Sequence, residues 1–121
     1  AEARHWLANL ADQAGFTPQE VSDLKLVLTE ACSNIVRHAY EGKEGHDIVL
    51  SLSLDEDELA LTIQDFGHKI DLTRYKEPDL DVPHEGGYGI YIIETLMDSV
   101  EYDTSQQTGT VLRMVKRRSQ K

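Results

Sequence analysis

Only one cysteine, Cys32, occurs in the 121 residues, so an internal disulfide is excluded and no thiolate pair is available to a metal. That usage fits a reducing setting, and the expected location is the cytoplasm. No apolar run approaches the ~20 residues that span a bilayer, and no signal-peptide pattern is read at the start. Basic residues are few: 12 Lys and Arg stand against 22 Asp and Glu, for a net charge of −10. A surface of that sign repels nucleic acid and anionic membrane, and neither is expected as a partner. The one basic cluster, Lys116-Arg117-Arg118, reads as a solvated tail. Proline is scarce as well, and two of the three, Pro78 and Pro83, fall in a single stretch.

What is present suffices for a folded domain. Hydrophobic residues make up 40% of the chain, enough to build a core. The length suits one compact unit, so residues 1–121 are read as a single domain. The chain opens on Ala1 directly in a helical pattern, which reads as a trimmed N-terminus or a domain cut from a longer polypeptide.

Apolar residues at Ala3, Trp6, Leu7, Leu10 and Ala14 have helical spacing, and Gly15 stops the pattern. Thr17-Pro18-Gln19-Glu20 then supplies a helix start: an N-cap, a proline at the first position and an acid at the third. The second helix is expected to run to about Tyr40, before Glu41-Gly42, with Leu24, Leu28, Cys32, Ile35 and Ala39 facing the core. Residues 46–54 and 59–64 alternate as strands, joined by the acidic turn Asp55-Glu56-Asp57-Glu58. A long loop over 65–87 follows, of a length that is usually functional. Helical spacing returns over 89–97, and residues 100–103 and 110–115 form a closing hairpin around Gln107-Thr108-Gly109. The order predicts an α+β two-layer sandwich, a mainly antiparallel mixed sheet covered on one face by helices.

Three places carry candidate chemistry. On the second helix Glu30, Asn34, Arg37 and His38 stand at i, i+4, i+7 and i+8 and form a polar stripe. A solvated helix face gives the same pattern, although Asn is a poor mid-helix residue and small neighbours, Ala31, Cys32 and Ser33, suit close approach. Asp65-Phe66-Gly67 ends a strand in the manner of a buried acceptor beside a tight turn, and an ordinary turn reads alike. Gly86-Gly87-Tyr88-Gly89 precedes a helix, where backbone amides and the helix dipole can bind an anion. Flexible linkers use the same residues. In this order, however, the three make a nucleotide pocket with oxygen ligands on one wall and phosphate-binding amides on another.

At these residues the chain resembles the GHKL ATPases with the Bergerat fold, and among them the anti-sigma-factor serine kinases. The segment Leu28-Thr29-Glu30-Ala31-Cys32-Ser33-Asn34-Ile35-Val36-Arg37-His38-Ala39-Tyr40 is similar to that family's N-box. The resemblance implies ATP and Mg²⁺ as ligands, Glu30 as general base and Asn34 as the metal ligand. It implies that Asp65 accepts from the adenine amino group, that Gly67 lines the base, and that Gly87 and Gly89 serve the phosphates. Thr110 would help hold the adenine end, while Arg37 and His38 would either support the site or cap and solvate the helix. Two departures stand out. Lys69 occupies the position of the first glycine box's usual second glycine, where it would either reach a phosphate or narrow the pocket. The strand that commonly precedes the first helix, often at a dimer contact, is not seen, which leaves a homodimer open.

The function so implied is transfer of the ATP γ-phosphoryl group to a serine of an anti-anti-sigma (STAS) partner, with a sigma factor as the second partner. The rival expectation is a nucleotide-binding interaction module of little catalytic power, such as a regulatory domain of a larger signalling protein.

Overall fold

The first helical pattern forms α1, Glu2–Gln13, in a computed structural model whose described residues are 2–40, 47–69 and 89–119. Its end is a glycine-centred cap: Gly15 takes φ 93°, Gly15 N donates to the Asp12 carbonyl and Phe16 N to the Ala11 carbonyl. The chain turns at once into α2, Pro18–Asn34. Thr17 Oγ1 accepts from Glu20 N at 3.1 Å while Thr17 N donates to Glu20 Oε1 at 2.8 Å, the reciprocal capping box that the sequence predicts.

After Asn34 the α-helical ladder stops. Residues Ile35–Ala39 form a π turn, closed by Tyr40 N donating to the Ile35 carbonyl at 3.1 Å. The helix expected to reach Tyr40 therefore changes pitch five residues earlier. Leu24, Leu28, Ile35 and Ala39 are buried as expected. Cys32 is only half-buried, and Val27 and Ala31 fill the core in its place.

The strands are β1, Ile48–Leu54, β2, Glu58–Asp65, β3, Ser99–Asp103, and β4, Val111–Arg117; α3, Gly89–Leu96, lies between β2 and β3. They pair antiparallel in the order β1-β2-β4-β3. Register places Leu50, Ile63, Leu112 and Tyr102 in one row across the sheet, and Leu52, Leu61, Met114 and Val100 in the next. These two rows pack with Leu7, Leu24, Leu28 and Ile93 of the helices into one core. The pleat sends the intervening row, Ser51, Thr62, Arg113 and Glu101, to the opposite face. The result is the α+β sandwich with helices on one face.

The basic cluster is tied into the fold through its backbone and Lys116, while the Arg117 and Arg118 side chains are exposed as expected. Lys116 and Arg117 close β4, Lys116 Nζ donates to the Leu96 carbonyl at 2.7 Å, and Arg118 N donates to the Asp57 carbonyl at 2.8 Å. Ser119 N reaches the Glu20 carboxylate at 3.1 Å, which ties the end of β4 to the start of α2. Of the long loop expected over 65–87, Asp65 belongs to β2 and residues 70–87 lie outside the described residues.

Candidate nucleotide site

Two of the stripe residues share true α-helical geometry. Glu30 and Asn34 are one turn apart in α2, both half-buried, with Asn34 as the last α-helical residue. Arg37 falls in the π turn and is exposed, so the i+7 and i+8 relations expected for a continuous α-helix do not hold. The His38 side chain lies outside the described residues.

Asn34 meets the start of α3. A Cβ added to Gly89 would stand 2.8 Å from Asn34 Nδ2 and 3.0 Å from Oδ1, so the side-chain amide rests on the glycine's Cα. The absence of a side chain there is what lets the two helices place this amide at an N-terminus, where backbone N–H groups favour anions. Gly87, the other expected phosphate-side glycine, lies outside the described residues.

Asp65 closes β2 with only 4% of its surface exposed. Its Oδ1 accepts from Gly67 N at 3.1 Å, and its own N–H donates to the Thr110 carbonyl at 3.1 Å. Burial raises its carboxyl above the ordinary value, while the backbone hydrogen bonds from Gly67 and Thr110 pull it partly back. Thr110 is itself buried, just before β4. Gly109, at φ 75°, presses against this point: an added Cβ would fall 2.1 Å from the Asp65 carbonyl oxygen.

Gly67 has a steric reason to be glycine. Its Cβ would lie 2.2 Å from the Ala39 carbonyl oxygen and 2.8 Å from Tyr40 Cδ1. The occupant of that space is the end of the π turn. Lys69, two residues on, is exposed. Sequence reasoning missed Tyr40, whose hydroxyl donates to the Asp47 carbonyl at 2.5 Å and accepts from Phe66 N at 2.8 Å. An aromatic with a polar tip at a helix end was the available signal.

An open depression lined by Cys32, Ser33, Val36 and Arg37 flanks α2. Burial raises the Cys32 thiol, which makes it a poor nucleophile. Among the described residues no group of three His, Cys, Asp or Glu side chains could hold a metal, and no helix is long and apolar enough to cross a membrane.

Residues 1–116 match the family model of the histidine kinase-like ATPase domain. The serine-protein kinase RsbW of Bacillus pumilus is 36% identical over 121 residues, covering 91% of this chain and 73% of that protein. RsbW of Halalkalibacterium halodurans is 35% identical, covering 91% and 70%, and that of Bacillus subtilis 34%, covering 91% and 72%. Among solved structures, the histidine kinase domain of the Erythrobacter litoralis EL346 blue-light activated histidine kinase superposes with a TM-score of 0.55. At 24% identity, over 80% of this chain and 44% of that one, it shares the fold. With a family match along nearly its whole length and kinase relatives at about a third identity, the chain belongs to the histidine kinase-like ATPase domain family, in its serine-protein kinase branch.

Proposed function

We propose that this chain transfers the γ-phosphoryl group of Mg-ATP to a serine of an anti-anti-sigma partner of the STAS type, and holds a sigma factor when that partner is phosphorylated. The observation that carries the reading is the placement of Glu30 one helical turn before Asn34, whose amide rests on Gly89 at the start of α3. The relatives named serine-protein kinase RsbW support the same reaction.

The residues fit the ligands. Asp65 is a buried carboxylate, desolvated as a group that reads a base should be, with backbone amides fixing its orientation. Asn34 offers a side-chain oxygen for Mg²⁺, the ion that would neutralise phosphate charge when bound. Gly89 and Gly87 would serve the phosphates, Gly67 and Thr110 would shape the base end, and the exposed Lys69 would approach the phosphates. Glu30 would take the proton of the incoming serine hydroxyl. The serine oxygen then gains the phosphoryl group and ADP leaves. Residues 1–121 would act as one domain in the cytoplasm, and a homodimer is compatible with the reading.

The test is incubation of this chain with labelled ATP, Mg²⁺ and STAS-type proteins encoded beside it. Label on a partner serine is the expected result. Tight ATP binding with no transfer to any partner would favour the passive nucleotide-binding module instead.

A further inference from the structure

The backbone of the Asp65 turn is held amide by amide. Asp65 N donates to the Thr110 carbonyl at 3.1 Å, Phe66 N to the Tyr40 hydroxyl at 2.8 Å, Gly67 N to Asp65 Oδ1 at 3.1 Å, and His68 N to the Ala39 carbonyl at 2.9 Å. Two of these four acceptors belong to the end of the helix that carries Glu30 and Asn34. Ala39 closes the π turn, and its carbonyl is one of those that a helix end leaves to other donors, here His68 N. Gly67 lies flush on it, since a Cβ would collide with Ala39 and Tyr40.

Tyr40 completes the joint. It is 6% exposed, and its hydroxyl spans the Asp47 carbonyl, just before β1, and the Phe66 amide, just after β2. A phenylalanine would fill the same space and leave both backbone groups without this partner. We propose that Tyr40 is a positioning residue for nucleotide recognition: its hydroxyl fixes the turn that aims the Asp65 carboxylate at the base, and registers that turn against the helix of Glu30 and Asn34. The inference rests on the reading of Asp65 as the group that accepts from the adenine amino group.

The chemistry supplies a readout specific to positioning. Inosine triphosphate carries a carbonyl where ATP has the amino group, so it cannot donate to Asp65 at that position. Tyr40→Phe should lower ATP affinity by about tenfold, the scale of one misaligned hydrogen bond to a charged group. Inosine triphosphate affinity should stay the same, so the preference for ATP collapses. Calorimetry of parent and Tyr40→Phe with both nucleotides, alongside thermal unfolding, measures this. Equal losses for both nucleotides, or an unchanged preference, would overturn the positioning role while leaving Asp65 in place. A parent chain that binds both nucleotides alike would overturn the Asp65 reading, and the inference with it. Should Tyr40→Phe fail to fold, amide exchange on the parent decides. The Phe66 N–H should be protected in the free chain, and more strongly with ATP than with inosine triphosphate; equal protection by the two would refute the proposal.

Discussion

At the scale of single residues, Asp65 sets binding against stability. Its carboxyl is raised by burial, so the folded chain holds that proton more tightly than the unfolded chain does. Between the ordinary carboxylate value, ~3.9, and the raised one, the folded state binds more protons, and stability from this group falls as pH rises through that interval. Above that interval the charge of the buried side chain is a cost to the fold, and base recognition is the proposed reason for it to be there. Asp65→Asn keeps an oxygen for Gly67 N and removes the charge. The variant should unfold at the same or a higher temperature than the parent near neutral pH, with the gap closing below the ordinary carboxylate range. Its ATP affinity should fall roughly ten- to hundredfold, from the loss of a charged hydrogen bond of ~1.5–3 kcal/mol. Calorimetry and thermal unfolding measure the two effects separately. Unchanged affinity in the folded variant would remove Asp65 from the site.

At the scale of elements, two glycines that look alike in sequence have opposite consequences. At Gly67 the neighbour is the backbone of the π turn, with the Ala39 carbonyl oxygen 2.2 Å from an added Cβ, and backbone cannot step aside. Gly67→Ala should destabilise the chain by about 1–3 kcal/mol, the usual cost of forced overpacking. At Gly89 the neighbour is the Asn34 side chain, 2.8 Å away, which can rotate. Gly89→Ala should unfold close to the parent's denaturant midpoint yet lose most of the Mg²⁺ dependence of ATP binding, because the displaced group is the proposed metal ligand. Denaturation and nucleotide titrations with and without Mg²⁺ check the contrast; equal destabilisation of the two variants would contradict it. Much at this scale was legible in advance. The capping box was written in Thr17 and Glu20, and the inner face of β2 in the alternation of Leu59, Leu61 and Ile63, all fully buried. The π turn was not, because Ile35 to Ala39 carry the same apolar spacing in either ladder and no residue type marks a shift of one hydrogen bond. That shift removed Arg37 from the expected stripe geometry.

At the scale of the whole molecule, periodicity identified the strands, helices and layers but not the strand order. The pairing of β2 with β4 joins residues such as Leu61 and Met114, far apart in the chain, and their apolar character is shared by every inner strand position. The same distance in sequence hid the use of the basic cluster. Lys116 and Arg118 look like a tail until the sheet brings them to the Leu96 and Asp57 carbonyls. The candidate site residues were easier to propose than the topology, since Glu30, Asn34, Asp65 and Gly89 each sit in a short motif with chemistry of its own. The joint between those motifs depends on tertiary placement of Tyr40 and so escaped.

The central claim is that this fold assembles a phosphoryl-transfer site with Glu30 as base, and one measurement addresses it most directly. Single-turnover transfer of labelled phosphate to a cognate STAS-type partner is followed for the parent and for Glu30→Gln at matched ATP occupancy. The exchange keeps the size and helix preference of a half-buried residue in α2, so ATP and partner binding should persist. The transfer rate should fall by ~10²–10⁴, the typical contribution of a general base. Equal rates in the two proteins would contradict the catalytic role of Glu30.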